Sequence, residues 1–338
     1  MNLEDIARKA GVSRSTVSRV INNEPYVSAK TREKVLAVIK EVGFSPNPGA
    51  RMLVTRRTQV IGIVIPHTLA VVFEDPYYFP TLLQGIAEAA QKRDYATLLW
   101  VGHSNEDEER FYHRVLQNRL MDGLVIASAT SEVSIVERLL KNRTPFVMVE
   151  RPAVYADQIS YVTVDNVRAA QTAVEHLINQ GRRRIGTITG DLENTDGQDR
   201  LTGYQNALRK AGLPVDPALI VAGHFSRRSG YLGMKMLLKQ GVDAVFAASD
   251  TTALGALQAM GEVGVRVPED VAIVGFDDLP LALDASPQLT TIRQPIEQKG
   301  YQAAALLLDL LEGAVDGPQQ ILLPTQLVIR QSSGADTL

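Results

Sequence analysis

The first 45 residues place apolar side chains at the spacing of three short helices. The pattern predicts helices over Leu3–Ala10, over Arg14 to about Ile21, and from a cap at Ser28 to about Val42. Gly11 lies between the first two helices and can adopt the left-handed backbone conformation that a tight turn needs. Two helices joined by such a turn are typical of a helix-turn-helix DNA-binding module.

The second predicted helix turns its polar side chains outward, because Val17, Val20 and Ile21 occupy its inner face. N-terminal residues of a recognition helix reach base edges, and arginine can bond both acceptors of guanine. Polar residues at helix starts are suited to phosphate contacts. The residues predicted to contact DNA in this region are Arg14, Ser15, Thr16, Ser18, Arg19, Asn22, Ser28, Lys30 and Thr31.

From Val60 onward, short β-branched runs alternate with helical stretches. This alternation predicts α/β architecture, with parallel sheets covered by helices on both faces, and two sets of strands predict two doubly wound lobes. The predicted strands are Val60–Ile65, Ala96–Val101, Gly123–Ala127, Phe146–Val149, Tyr161–Val164, Ile185–Thr189, Ala218–Val221, Ala244–Ala247 and Val271–Gly275. Helices predicted between them include Thr81–Arg93, Glu106–Asn118 and Asp250–Val263.

Charge is distributed unevenly over the 338 residues. Residues 1–57 contain 11 Lys and Arg against 5 Asp and Glu, whereas the rest contains 24 against 33, so a net charge of −3 combines +6 with −9. A basic head on an acidic body favours a nucleic-acid-binding module joined to a second function. The 45% apolar composition is that of an ordinary globular protein.

Several function classes are disfavoured. The absence of cysteine excludes disulfides, thiolate zinc sites and cysteine nucleophiles. We find no H-E-x-x-H, G-x-S-x-G, Walker A or G-x-G-x-x-G motif, so neither an enzyme nor a cofactor or metal site is predicted. The charged N-terminus and the lack of a long apolar run predict a cytoplasmic protein with no signal peptide and no membrane contact.

Specific motifs extend over nearly the whole chain. The head contains AGVSRSTVSRVIN, VSAKTREKV and FSPN; the body contains VTVDN, HLINQGRRRIGTITG, DRLTGY, SDTTALGALQAM, VPEDVAIVGFDD, LTTIRQP and LPTQLVIRQS. With these motifs the chain resembles the LacI/GalR (lactose-repressor) family of bacterial transcription regulators. The resemblance implies a helix-turn-helix headpiece, a hinge helix and a two-lobed core like a type I periplasmic binding protein. It also implies a homodimer on a near-palindromic operator, with dimer contacts from Thr81–Lys92 and Thr251–Met260.

The resemblance divides the chain into four parts. We expect a headpiece over 1–45, a hinge over 46–57, an N-terminal lobe over 58–162 with about 292–320, and a C-terminal lobe over 163–291 with about 321–334. It implies that the hinge enters the minor groove through Ala50, Arg51 and Leu53, with Leu53 as the wedge between base steps. Gly49 lowers the helix propensity of this segment by about 1 kcal/mol relative to alanine.

The effector site is expected at the carboxyl ends of the strands, between the lobes. The resemblance implies effector contacts at Arg200, Asp277 and roughly at Phe225. Residues that follow strands complete the predicted set, which is Tyr78, Phe79, Arg200, Phe225, Ser249 and Asp277. Ser249 stands where relatives often have asparagine, which predicts a different pattern of polar contacts. Three neighbours have other expected roles: Asp278 at the surface or an interface, Asp250 as a cap or hinge group, and Trp100 in the rim or the core.

An arginine, an aspartate and aromatic rings suit a sugar, and they also suit a purine. The sequence therefore predicts a transcriptional repressor controlled by a small molecule, with a sugar as the expected effector. A corepressor-dependent purine or nucleoside regulator is the alternative within the family. A sugar-binding or glycan-acting protein with an incidental basic head is the alternative from another class.

Overall fold

A computed structural model of the protein describes residues 2–21, 24, 26–43, 57–66, 72, 75–102, 109–118, 120–127 and 134–334. The chain divides into two compact units, Met1–Thr58 and Gln59–Leu338, here called the head and the core. The predicted residues Asn22, Ala50, Arg51 and Leu53 lie outside the described residues, as does most of the predicted hinge.

The head contains three helices, α1 (Leu3–Ala10), α2 (Arg14–Ile21) and α3 (Ala29–Val42). Asn2 caps α1 by accepting hydrogen bonds from the backbone N–H groups of Glu4 and Asp5, each at 3.0 Å. Gly11 ends α1 with φ +61°, and this left-handed turn redirects the chain into α2. The head thus has the predicted helix-turn-helix geometry.

A small apolar core holds the three helices together. Its buried members are Ile6, Ala7, Ala10, Val17, Val20 and Val35. Each helix contributes at least one residue, so burial of the predicted inner faces fixes which side chains of α2 point to solvent. Ser28 caps α3 by accepting from the N–H of Thr31 at 3.3 Å.

The first sheet of the core has six parallel strands in the order β11-β5-β4-β3-β1-β2. Nearly continuous burial of β1, β3, β4 and β5 reflects helices on both faces. The strands are β1 (Val60–Ile65), β2 (Ala96–Val101), β3 (Gly123–Ala127), β4 (Phe146–Val149), β5 (Ser160–Val164) and β11 (Gln320–Leu323). This sheet forms the N-terminal lobe.

The second sheet has the order β12-β10-β9-β8-β6-β7, parallel except for the β10–β12 pair. Its strands are β6 (Ile185–Ile188), β7 (Ile220–Val221), β8 (Ala244–Ala247), β9 (Ala272–Asp277), β10 (Thr290–Arg293) and β12 (Gln326–Val328). This sheet forms the C-terminal lobe. The chain therefore changes lobe after β5, after β10 and between β11 and β12.

Helices cover both sheets. They are α4 (Tyr78–Lys92), α5 (Ser134–Lys141), α6 (Asn166–Asn179), α7 (Thr195–Lys210), α8 (Arg227–Lys239), α9 (Asp250–Glu262), α10 (Pro280–Asp284) and α11 (Ile296–Glu312). Short π or 3₁₀ turns occur at Tyr112–Leu116, Pro217–Leu219 and Gln331–Ser333. None of the helices in the described part of the chain has the length and apolarity needed to cross a membrane.

Several predicted elements have different limits in the structure, and for three of them the difference bears on the site. Helix α4 begins at Tyr78 rather than Thr81, because the Asp75 carboxylate accepts from the N–H groups of Tyr77 and Tyr78 at 2.9 and 3.0 Å. The strand predicted over Ala218–Val221 keeps only its second half as β7, because a 3₁₀ turn that Pro217 and the capping Asp216 start extends to Leu219. Strand β9 continues to Asp277, so this residue ends the strand instead of following it.

Two helices of the N-terminal lobe pack closely through glycine. A Cβ on Gly85 of α4 would lie 2.0 Å from the carbonyl oxygen of Glu297, and one on Gly300 of α11 would lie 2.2 Å from that of Leu82. Only hydrogen fits at these positions. The close contact fixes α11 against α4 and brings residues of both helices to the edge that faces the other lobe.

Candidate nucleic-acid interface and interlobe site

The basic residues of α2 are exposed. The side chains of Arg14 and Arg19 are 67% and 54% accessible, and their nearest acids are Glu4 at 3.5 Å and Glu24 at 3.7 Å. Ion pairs at this exposure contribute little free energy, so DNA phosphates or bases can displace the acids. Ser15 and Lys30 are exposed as well, and Ser18 is half-buried.

Two predicted DNA-contacting residues already have structural partners. The hydroxyl of Thr16 lies 2.9 Å from that of Ser13, and the hydroxyl of Thr31 lies 2.9 Å from that of Ser28. These pairs cap α2 and α3, so their first role is to shape the helix starts. Tyr26 was not predicted as a contact, yet its side chain is highly exposed before α3. An aromatic residue in the short loop between α2 and α3 of a basic head was the available signal.

Arg200 is the centre of the site between the two lobes of the core. Its Nε donates to Asn166 Oδ1 at 2.9 Å and its Nη1 donates to the carbonyl of Ala248 at 2.6 Å. Its guanidinium lies 3.5 Å from both Asp196 and Asp277. Arg200 lies within helix α7, which Asn194 caps by accepting from the N–H of Asp196.

Asp277 joins this arrangement from the end of β9. Gln294 Nε2 donates to its Oδ1 at 2.6 Å, and Lys299 Nζ donates to Gln294 Oε1 at 3.1 Å. Gln294 lies in the segment that leads from β10 to α11. A single side chain therefore connects the carboxylate of one lobe with the buried lysine of the other.

The N-terminal lobe contributes Tyr78, Glu150 and Lys299. Lys299 Nζ donates to Tyr78 Oη at 3.1 Å, and Tyr78 donates to Glu150 Oε1 at 3.3 Å. Asn194 of the other lobe donates to Glu150 Oε2 at 3.2 Å. These contacts close a ring of polar groups across both lobes, here called the interlobe cluster: Tyr78, Glu150, Asn166, Asn194, Asp196, Arg200, Asp277, Gln294 and Lys299.

Burial changes the acidity of the cluster. It raises the pKa of Glu150 to about 8, with a further contribution from the neighbouring Asp196. It raises the pKa of Asp277 to about 7 against the opposing effect of Arg200. Burial also raises the pKa of Tyr78 well above its ordinary value, and Glu150 adds to this shift. The cluster is therefore rich in acceptors that are poorly hydrated and close to one another's charges.

Two aromatic rings enclose the guanidinium of Arg200. Its Cζ lies 3.7 Å from the ring centroid of Phe276 and 5.4 Å from that of Phe225. Phe225 has φ +57° and its ring lies over Gly190, where a Cβ would come within 2.0 Å of the ring. The structure thus brings together three residues predicted to contact the effector, Phe225, Arg200 and Asp277, and the interlobe cluster connects Tyr78 to them.

Ser249 and Phe79 have other surroundings. Ser249 caps α9 by accepting from the N–H of Thr252 at 3.1 Å, and its hydroxyl donates to the carbonyl of Phe225 at 3.4 Å. It therefore orients the loop that holds Phe225. Phe79 is buried in the apolar core of the N-terminal lobe, edge-on to Tyr78 with ring centroids 5.3 Å apart. Phe79 supports Tyr78 from the core side.

The three neighbours with other expected roles are placed as follows. Asp278 is not a surface residue: its carboxylate, 7% accessible, bonds Arg293 and Arg330, each at 2.6 Å. Asp250 accepts from the Leu279 N–H and the Thr291 hydroxyl, which ties α9 to the ends of β9 and β10. Trp100 is half-buried against Phe111, with ring centroids 5.3 Å apart.

The other six cluster members were not predicted as site residues. Glu150, Asn166 and Gln294 each come directly or almost directly after a parallel strand, so the rule of strand carboxyl ends could have found them. Lys299 lies inside a helix, where no pattern distinguishes it from a surface lysine. Among the residues that the structure describes, no group of three or more His, Cys, Asp or Glu could hold a metal ion.

Comparisons with known proteins identify relatives of both the head and the core. The model "Bacterial regulatory proteins, lacI family" matches residues 2–47, and "Periplasmic binding protein-like domain" matches residues 174–333. The chain is 40% identical over 333 residues to the HTH-type transcriptional regulator CelR of Thermobifida fusca, covering 98% of this chain and 97% of CelR. It is 34% identical to the HTH-type transcriptional repressor PurR of Yersinia pestis, covering 98% and 96%.

Two solved structures resemble the whole chain. A complex of the transcriptional regulator CelR with cellobiose has a TM-score of 0.79 at 38% identity, covering 98% of this chain and 99% of the other. A lac repressor dimer bound to operator and the anti-inducer ONPF has a TM-score of 0.83 at 29% identity, covering 99% of both chains. Similarity therefore extends over head and core together.

Proposed function

The chain belongs to the LacI family of bacterial regulatory proteins and is a DNA-binding transcriptional regulator, and we propose that a sugar bound between its lobes controls its affinity for operator DNA. We further propose that it represses transcription as a homodimer on a near-palindromic operator. The lac repressor, a dimer on its operator, supports this part of the proposal. Two heads would then read two half-sites.

The observation that supports a sugar effector most directly is the interlobe cluster. Carboxylates accept hydrogen bonds from sugar hydroxyls, and Arg200 can donate to them from its fixed position above Phe276. Phe225 offers an apolar face for the C–H groups of a sugar ring. Because CelR binds cellobiose and is 38% identical over nearly the whole chain, cellobiose is the first candidate.

The cluster also supports a mechanism of control. A ligand that replaces contacts such as Asn194–Glu150 or Gln294–Asp277 changes the free energy of lobe closure. If lobe closure and operator binding are coupled, sugar and DNA shift each other's affinity by the same factor, typically equivalent to 1–3 kcal/mol. We propose that the hinge over 46–57 transmits the change, with Ala50, Arg51 and Leu53 at the minor groove.

Further parts of the proposal concern the remaining contacts. We propose base contacts from Arg14, Ser15, Ser18 and Arg19, phosphate contacts from Asn22, Ser28, Lys30 and Thr31, and a further DNA contact from Thr16. We propose dimer contacts from α4 and α9. The protein would act in the cytoplasm without catalysis, in keeping with a family of regulators. A glycan-acting protein with an incidental basic head is not favoured, because family similarity includes the head.

The proposal is tested by operator binding in the presence of candidate effectors. A DNA fragment selected from random sequence would be labelled and titrated with the full chain, with cellobiose or hypoxanthine added. We expect cellobiose to change the dissociation constant for DNA by at least about fivefold, and hypoxanthine to leave it unchanged. A response to hypoxanthine without any response to cellobiose would replace the sugar by a purine. Absence of sequence-selective binding would refute the regulator itself.

A further inference from the structure

Five charged side chains of the interlobe cluster are almost fully buried. Three are acids and two are bases, and none is more than 5% exposed: Glu150, Asp196, Asp277, Arg200 and Lys299. When every group is ionised, as at pH 8.5, the set therefore has one negative charge in excess, and protonation of Glu150 or Asp277 at lower pH removes it. Buried charge of one sign is costly unless a partner compensates it, so this excess affects whatever enters between the lobes.

Both buried cations are already engaged by groups of the chain. Arg200 donates to Asn166 and to the carbonyl of Ala248, and it lies 3.5 Å from Asp196 and from Asp277. Lys299 donates to Tyr78 and to Gln294, each at 3.1 Å. An incoming anion would have to compete with these partners for either cation.

The groups around the cluster do not correct the imbalance. The acid Asp75 helps to raise the pKa of Asp277, and Asp277 adds to the effect of burial in raising the pKa of Asp250. Asp278 is matched by Arg293 and Arg330. Arg151 is matched by Asp199 at 2.8 Å. In the described surroundings, the three acids Asp75, Asp250 and Asp278 thus outnumber the two arginines that bond Asp278, of which Arg330 is itself buried.

We infer that the cleft selects uncharged sugars and rejects anionic ones, such as sugar acids and sugar phosphates, an inference that rests on the proposed function. Glu150 and Lys299 set this selectivity. A neutral hydroxyl can donate to Glu150 or Asp277 without a net change in buried charge. A carboxylate or phosphate would lose its hydration and meet an excess of acids. Glu150 increases that repulsion, and Lys299 decreases it.

The test compares cellobiose with cellobiuronate, which has a carboxylate in place of one hydroxymethyl group. Calorimetry at pH 8.5 would measure both affinities, because the pKa of Glu150 is about 8 and that of Asp277 about 7. For the unmodified chain we expect cellobiuronate to bind at least about 100-fold more weakly. At pH 6.5, where these carboxyls hold protons, the ratio should be smaller.

Two substitutions should move the ratio in opposite directions. Glu150→Gln, of nearly the same shape, should reduce the ratio by about tenfold, and Lys299→Met should increase it. Lys141→Met makes the same change at an exposed lysine of the same lobe and should leave the ratio unaltered. A purely structural role of either residue would weaken both sugars equally.

The outcomes separate the inference from the proposed function. If the unmodified chain binds both sugars equally, or if Glu150→Gln and Lys299→Met leave the ratio unchanged, the inference is overturned while a sugar regulator remains. If neither sugar binds the unmodified chain, cellobiose as effector is overturned first. Should Lys299→Met fail to fold, Glu150→Gln alone decides, because a constant ratio there contradicts the assigned role.

Discussion

Replacing Arg200 by methionine removes the central cation of the interlobe cluster while keeping most of its volume. The guanidinium makes two hydrogen bonds, at 2.9 Å to Asn166 and 2.6 Å to the Ala248 carbonyl, and it lies 3.5 Å from two buried carboxylates. Breaking a buried ion pair by removing one partner costs about 3–5 kcal/mol. We expect Arg200→Met to lower the unfolding free energy of the core by this amount at pH 7.5.

The assay is urea unfolding of the full chain, followed by circular dichroism, with Arg266→Met as the matched control. Arg266 lies closer to its acid than Arg200 does, 2.5 Å from Asp270, but its side chain is 70% exposed. Solvent screens such a pair, so we expect a far smaller change for the control. Equal losses of unfolding free energy in the two variants would contradict the prediction, because the larger loss at Arg200 is expected from its burial and not from its contact distances.

The pH dependence gives the same prediction a second readout. Arg200 lowers the pKa of Asp277, which burial raises to about 7. Without the guanidinium the folded state holds protons on Asp277 to higher pH. A carboxyl whose pKa is raised in the folded state makes the protein less stable as pH rises towards that pKa. The difference in unfolding free energy between the variant and the unmodified chain should therefore widen from pH 6 to pH 8. A gap that narrows would contradict this account.

Three further predictions concern the head, the helix packing and the titration of the cleft. Arg19→Ala should weaken operator binding by about 1–3 kcal/mol and relax sequence preference, measured by competition with mutated operators; a uniform loss on all sequences would show a phosphate contact instead. Gly85→Ala should destabilise the core by about 1–3 kcal/mol in thermal unfolding, because its Cβ would lie 2.0 Å from a carbonyl oxygen. The control Gly261→Ala, whose Cβ would have nothing within 4 Å, should be neutral or slightly stabilising. The core should lose on the order of 2 kcal/mol of unfolding free energy between pH 6 and pH 8, because the pKa of Glu150 rises from 4.5 to about 8 on folding. Glu150→Gln should flatten this dependence of unfolding free energy on pH. An unchanged dependence in the variant would assign the titration to other groups.

Helices and strands could be predicted from the sequence where the hydrophobic periodicity and the capping residues indicate the same limits. In the head, Asn2, Gly11, Ser28 and Gly43 are local signals, and they match the observed limits of the helices. In the core, β-branched runs identified most strands, because strands buried on both faces are continuous in their hydrophobicity. The short strands β10, β11 and β12 were missed. β11 and β12 are edge strands with partial burial, and β10 is a buried strand of four residues whose sequence, TTIR, contains a single strongly apolar side chain.

The candidate site was only partly predictable, for a physical reason. Arg200 and Asp277 follow from motifs, but their contacts depend on how distant segments meet. Glu150 and Asn194 lie on different lobes, and their contact exists only because the chain changes lobe after β5. Lys299 becomes buried because Gly85 and Gly300 let two helices approach closely. Sequence patterns describe one element at a time and contain no such information.

The most direct test of the central claim is reciprocity between sugar and DNA. Calorimetric titration of cellobiose into the full chain would be carried out with and without saturating operator, beside operator titrations with and without cellobiose. The account predicts that operator changes the affinity for cellobiose by the same factor by which cellobiose changes the affinity for operator. A cellobiose affinity that is the same with and without operator would contradict control of DNA binding from the interlobe site.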